Sequence, residues 1–194
     1  MKEIFYEESS RIQNRQSAKT KYLVCNIITA VTIILLCAWI YLLFIGFEFA
    51  RGNVALNIAF AVLPILIFIA SIIIITRYKR KVFVDYDYTF ISGSVRFSKI
   101  IKEAKRYDIV KFETTSIEKI GKINSDTYNN YLKSPNVTKR ILTANNTAEE
   151  GKAFYYLLAN VNGKTMFILE TTKEFINSLL QYTSRLVLEE GFRL

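Results

Sequence analysis

The stretch Tyr22–Phe47, YLVCNIITAVTIILLCAWIYLLFIGF, carries no charged side chain, and its reading decides how the rest of the chain is understood. As a helix rising ~1.5 Å per residue, it is long enough to cross a hydrocarbon layer roughly 30 Å thick, with length to spare for tilt. A second uncharged stretch, Gly52–Thr76, follows after a short turn and is also long enough. Two such stretches in succession predict a transmembrane hairpin. A cleaved signal peptide fits poorly, because its apolar core runs about 7–15 residues and ends in small side chains. Here the run is longer and closes on Tyr41-Leu42-Leu43-Phe44-Ile45-Gly46-Phe47.

Charge sets the expected orientation. The first 21 residues hold Lys2, Arg11, Arg15, Lys19 and Lys21, and Arg77-Tyr78-Lys79-Arg80-Lys81 follows the second stretch directly. The turn between the stretches offers only Arg51. Lys and Arg near membrane ends stay on the cytoplasmic side, so both termini read as inside. The expected organisation is a cytoplasmic N-terminal segment 1–21, a first span 22–47, an external turn 48–53, a second span 54–76 and a cytoplasmic domain 82–194. Tyr22, Trp39, Tyr41 and Tyr78 lie toward the span ends, where amphipathic rings favour the interface.

The net charge of +9 does not point to nucleic acid. Residues 82–194 hold 16 Lys/Arg against 13 Asp/Glu, so most of the excess flanks the hairpin. Arg77, Lys79, Arg80 and Lys81 are the candidate contacts for anionic lipid headgroups, at ~1 kcal/mol per cation near the surface. The bilayer is therefore the expected partner, with a protein partner of unspecified identity and no nucleic acid. Neither oligomeric state nor pathway follows from the sequence.

Inside the spans, Asn26, Thr29, Thr32, Asn57, Ser71 and Thr76 are polar, but none is ionisable. Intramembrane charges mark ion and proton pathways, so their absence argues for an anchor over a conduit. Pro64 falls mid-span and removes one helical hydrogen bond, which predicts a kink. Ala55 and Ala59 form a weak small-xxx-small pattern. Cys25 and Cys37 are about 18 Å apart on one helix and cannot bridge, and residues 82–194 contain no cysteine.

The C-terminal part reads as strands closed by one helix. In Val82–Ile91, Val82, Val84, Tyr86, Tyr88 and Phe90 alternate with Asp85, Asp87 and Thr89, and Ser92-Gly93 makes a turn. Further strands are expected at Ser94–Ile101 and Arg106–Glu113, with a weaker one at Thr138–Ala144. Asn162-Gly163 between Lys152–Val161 and Lys164–Glu170 predicts a tight hairpin, since both turn residues tolerate positive φ. Phe175, Ile176, Leu179, Leu180, Leu186 and Val187 then recur at helical spacing. Thr171 and Glu174 match a capping box, and Gly191 would end the helix. The polar Gly121–Asn136 reads as an irregular connection.

This gives an α+β class: an N-terminal transmembrane helical hairpin, then a small antiparallel β domain with a C-terminal amphipathic helix. Two spans, a basic stop, Asp85-Tyr86-Asp87-Tyr88-Thr89-Phe90-Ile91-Ser92-Gly93, another strand and the basic Lys102–Arg106 together resemble a family of bacterial two-span membrane proteins. Proteins of that family carry a PH-like cytoplasmic domain of unknown function. The resemblance implies topology and domain type, and it brings no activity and no functional residues.

The chemistry available is restricted. With no histidine, Ser-His-Asp, Cys-His and His-ligated metal sites are excluded. The only carboxylate pair that invites an acid–base or cation-binding reading is Asp85 and Asp87, with Glu113, and strand alternation explains them equally well. No phosphate-cradling glycine loop is present. Asn136-Val137-Thr138 and Asn145-Asn146-Thr147 match glycosylation acceptors, which a cytoplasmic location would leave unmodified. No catalytic residue, metal ligand or cofactor is expected. The reading favoured is a non-enzymatic binding or scaffold module anchored at the inner membrane surface. The alternative is a small accessory subunit of a larger membrane complex, for example one that transports.

Overall fold

The computed structural model describes residues 4–46, 53–183, 186–190 and 192, and the chain divides into two units. One unit, 14–83, is a pair of helices, α1 (Arg15–Phe44) and α2 (Val54–Val82). Asn14 and Asn53 cap them, each side chain accepting from the backbone N–H three residues on. The helices run antiparallel: the Lys79 ammonium sits 4.8 Å from the Tyr22 ring centroid, and the Trp39 indole N–H donates to the Ala61 carbonyl at 3.4 Å. Most apolar side chains on both helices are exposed, α2 having none buried. An isolated helix that is apolar all round suits lipid as its solvent, and both helices are long and apolar enough to cross a membrane.

Three hydroxyls of the hairpin are satisfied locally. The hydroxyls of Thr29, Thr32 and Ser71 each donate to the carbonyl four residues back, at 2.7–2.8 Å. No water is needed for those groups. Helix α2 runs unbroken through Pro64 and past Thr76, so the basic run 77–81 is helical. The turn expected at 48–53 lies, except for Asn53, outside the described residues.

The other unit, 1–13 with 84–194, holds two four-stranded sheets. The first contains β1 (Phe5–Ser10), β2 (Val84–Ile91), β3 (Ser94–Ile101) and β4 (Lys105–Glu113), all antiparallel in the order β1-β2-β3-β4. A single 3-10 turn, Thr114–Ser116, leads into the second sheet. That sheet contains β5 (Ile117–Lys122), β6 (Thr138–Ile141), β7 (Ala153–Asn160) and β8 (Lys164–Thr171) in the order β5-β7-β8-β6. Strand β6 is parallel to β8, and the other pairs are antiparallel. Helix α3 (Asp126–Lys133) lies between β5 and β6, and α4 (Lys173–Gln181) follows β8.

The core is built from the facing sides of the two sheets and from α4. Tyr88, Phe90, Phe97 and Phe112 meet Ile120, Leu157, Phe167 and Leu169, with Phe175, Ile176 and Leu179 of α4 closing the cluster. Phe97, Phe112 and Phe167 form an aromatic triad with ring centroids 5.3–5.7 Å apart. A smaller cluster lies on the other face of the second sheet, where Tyr128 and Tyr131 of α3 pack on Val137, Tyr156, Leu158 and Met166.

Both turns read from sequence adopt the expected backbone: φ is positive at Ser92 and Gly93, and at Asn162 and Gly163. Several other expectations need correction. The first strand after the hairpin begins at Val84, because α2 continues to Val82. Gly121–Asn136 is not irregular: it completes β5 and forms α3, whose cap is the Ser125 hydroxyl accepting from Tyr128 N–H. Its tyrosines supply the apolar face that the polar composition obscured. The C-terminal helix stops at Gln181, and Thr172, not Thr171, caps it. Leu186 is 98% exposed, while Leu188 bridges to Ile120 in parallel fashion, so 187–189 covers the edge of β5. Gly191 lies outside the described residues.

The largest difference concerns the N-terminus. Residues 5–10, read as a flanking segment, form β1 and pair with 86–91 of β2, from Phe5 opposite Ile91 to Ser10 opposite Tyr86. The domain expected to occupy 82–194 is therefore discontinuous, with the helical hairpin inserted between two adjacent strands.

Candidate functional site

The headgroup candidates occupy the last turns of α2, where cations also complement the partial negative charge of a helix C-terminus. Arg77, Arg80 and Lys81 are exposed, and Lys79 lies half-buried over Tyr22. Because the helices are antiparallel, Arg15, Lys19 and Lys21 at the start of α1 share that end of the hairpin. The result is a basic collar drawn from both helices.

Asp85, Asp87 and Glu113 do not form a site. Asp85 and Asp87 point to one side of β2, as alternation requires, but they are only 5% and 2% exposed. The Asp85 carboxylate accepts from Ile12 N–H at 2.9 Å. Asp87 accepts from the Ser9 hydroxyl at 2.7 Å and from the Arg106 guanidinium, which also reaches Glu7 at 2.7 Å. Hydrogen bonds to Asp87 and Glu7 hold the Arg106 proton more firmly than usual. Glu113 stands opposite Ser94 and Asp87 opposite Ser98, so the two are offset by four residues, about 13 Å, along β3 and lie on the strands to either side of it. Among the described residues, no three His, Cys, Asp or Glu side chains are grouped to hold a metal ion.

What the aspartates do is bind β1 and the residues after it. They belong to a larger polar seam whose other members sequence reasoning missed. At its centre is Glu170, fully buried near the end of β8. One carboxylate oxygen accepts from the hydroxyls of Ser10 and Thr143, both at 2.7 Å, and from the Asn145 amide at 2.8 Å. The other accepts from Glu149 N–H at 2.9 Å. Burial pushes this carboxyl upward, but the donors outweigh it and hold Glu170 below its ordinary value. The same Asn145 amide donates to the Arg11 carbonyl, while its oxygen accepts from Gln13 N–H.

Glu8 forms the second node. It accepts from the hydroxyls of Thr171 and Thr172 and from Thr172 N–H, placing a carboxylate at the N-terminus of α4 where the helix dipole favours it. Lys152 joins the nodes, donating to the Ser9 carbonyl and to Glu149 at 2.8 Å and approaching Glu8 at 3.9 Å. The buried Tyr88 hydroxyl donates to the Leu142 carbonyl at 2.6 Å and accepts from Glu170 N–H, and burial raises its pKa.

Each carboxylate in this seam accepts from protein donors, and the contacts hold the N-terminal segment to the rest of the unit. The contributing residues come from 7–13, 85–88, 142–152 and 170–172, with Arg106 of β4, and no local motif could have revealed them. The one sequence signal was Glu170 itself, a carboxylate directly after the apolar run Met166-Phe167-Ile168-Leu169.

A scan against family models matches residues 2–189 to a family described as "Bacterial PH-like domain (DUF6106)". No curated protein and no solved structure matches the chain. The family match takes in β1, both long apolar helices, the two sheets and α4, which is the whole arrangement just described. The two candidate spans suggest a membrane protein, and the chain belongs to this bacterial PH-like domain family, whose function is unknown.

Proposed function

We propose that the protein is a non-catalytic binding module held at the cytoplasmic membrane surface by its helical hairpin. One observation carries this reading: β1 and β2 are paired neighbours in one sheet, yet the hairpin separates them in sequence. Only residues 11–14 join β1 to α1, and Phe83 alone joins α2 to β2. A folded unit that holds both strands requires both helix ends to leave the bilayer on one side. The basic collar at that end favours the cytoplasmic side. PH-like domains are in general non-catalytic, and the carboxylates of this one are spent on cohesion. Confinement to a surface raises the effective concentration of the module toward a membrane-bound partner. Arg77, Lys79, Arg80 and Lys81 contact anionic headgroups in this reading.

The test uses the full chain in native membranes. A photo-crosslinking residue is placed either in the domain, at Tyr107 or Ile141, or in the spans, at Ile34 or Ile67; all four are exposed. Capture of one discrete partner from the domain positions supports the module. Capture from the span positions alone supports the accessory-subunit reading instead. Orientation is checked on a chain in which Cys25 and Cys37 are serine and Tyr107 is cysteine. Labelling of intact cells by a membrane-impermeant maleimide would sink the cytoplasmic placement.

A further inference from the structure

The two sheets are open at one corner. Strand β4 ends the first sheet and β6 ends the second. Between them lies a cleft of about 160 Å³. Its apolar wall is formed by Ile109 and Val110 of β4, Val161 and Phe167, and its polar rim by Thr138 and Arg140 of β6. A volume of this order matches a cavity able to take one benzene-sized group.

Three features make the cleft more than a packing gap. First, β4 carries a bulge there. Phe97 is opposite Val110 and Ser98 is opposite Asp108, which leaves Ile109 as the extra residue. Bulges re-aim side chains at sheet edges, and here two consecutive apolar residues both line the cleft. Second, β6 is bonded on one side only. It pairs with β8, all four of its residues are exposed, and no strand among the described residues pairs with its other side. The opposite edge of the same sheet, β5, is covered by 187–189. Third, Arg140 is the one ionisable group among the described residues lining the cleft, and among those residues no carboxylate pairs with it. Lys139 lies on the other face of β6, donating to the Leu132 carbonyl, and Lys133 precedes it. Basic side chains on a short edge deter neutral strands and favour an acidic one.

We propose that this cleft docks an extended acidic segment of a partner protein. The segment adds as a strand to the open edge of β6, sets one apolar side chain against Ile109, Val110 and Phe167, and pairs a carboxylate with Arg140. Backbone bonds supply affinity and the alternate side chains supply specificity. The inference rests on the binding-module reading and names the partner's chemistry.

The test places the full chain in phosphatidylcholine nanodiscs and follows the fluorescence anisotropy of two labelled hexapeptides, Glu-Val-Glu-Phe-Glu-Val and Lys-Val-Lys-Phe-Lys-Val. The acidic probe is expected to bind saturably and about tenfold or more tightly than the basic one. Arg140→Glu, an exposed change that leaves the core untouched, is expected to reverse the order. Hydrogen exchange should show new protection at the amides of 138–141 when the acidic probe is bound. Three results overturn the proposal: no saturable binding of the acidic probe, binding indifferent to Arg140→Glu, or protection elsewhere. Disulfide capture between two copies of an Arg140→Cys chain would overturn it in favour of self-association. If the cleft fails while the domain still captures a partner in native membranes, this inference falls and the module reading stands. Capture through the spans alone removes the module reading itself.

Discussion

The two units satisfy their polar groups in opposite ways. In the hairpin, Thr29, Thr32 and Ser71 bond to carbonyls four residues back, so each bond is made as soon as its own helical turn exists. In the domain, Glu170 holds Ser10 from 160 positions away, and Glu8 holds Thr172 from 164. A local bond can be lost without consequence beyond its own turn. A seam assembled from segments far apart in the chain closes cooperatively, because each donor it loses weakens the pairing of a buried acceptor that other segments share. The difference separates a part of the molecule tolerant of substitution from one that is not.

Removing residues 1–10 should produce the largest effect, since it deletes β1 and strips donors from Asp87 and Glu170 together. Loss of the cooperative near-ultraviolet circular dichroism transition is expected. A domain that still unfolds cooperatively without β1 would break the comparison.

Glu170→Ala comes next, costing about 1–3 kcal/mol in denaturant unfolding for each buried donor it leaves unpaired. The pH dependence has a definite sign. A carboxyl held below its ordinary value of 4.5 contributes stability that is present above that value. This contribution is lost as pH falls below 4.5 toward the folded-state pKa. Glu170→Gln should therefore flatten the acid limb of the stability profile, and an unchanged limb would show that other carboxylates set it.

Gly121→Ala should cost about 1–3 kcal/mol by overpacking. A Cβ there would fall on the Glu189 carboxylate and 2.6 Å from the Tyr156 ring. A shift of the thermal midpoint measures it, and partial recovery on adding Glu189→Ala, with the Tyr156 contact remaining, would sharpen the assignment.

The smallest effect is reserved for the hairpin. Thr29→Val and Thr32→Val should each change stability in detergent by about 0.6 kcal/mol or less. A larger loss would mean that these hydroxyls do more than close their own helical turns.

The same contrast explains what the sequence made legible. The two candidate spans announced themselves through composition, because a helix able to cross a membrane has to be apolar along its length. The hairpin turns at Ser92-Gly93 and Asn162-Gly163 were legible because positive φ restricts residue type at two adjacent positions. Strand β1 was not, since Phe5-Tyr6-Glu7-Glu8-Ser9-Ser10 has no apolar alternation. Its side-chain partners are Asp87, Thr171 and Glu170, which lie far along the chain. Helix α3 was hidden for a related reason, its packing face being tyrosine rather than aliphatic. Extending the C-terminal helix to Val187 mistook a β-bridging segment for a further turn of the apolar stripe. The headgroup candidates were found by charge alone, whereas the cleft depends on a bulge in β4 that no periodicity records.

The pairing of β1 with β2 also has a consequence in time. A ribosome delivers residues 5–10 first, then both helices in full, and only afterwards the strand that β1 must meet. At about 5–20 residues per second, β1 waits several seconds for its neighbour. Through that interval the carboxylates and hydroxyls of the N-terminal segment remain in water, while the apolar helices have to be accommodated. Completion of the first sheet thus follows the fate of the hairpin. A chain with one helix inserted and the other left out would hold β1 and β2 on opposite sides of the bilayer, with no folded domain to present. For helices that cross a membrane, folding of this domain is in that sense a record that both arrived.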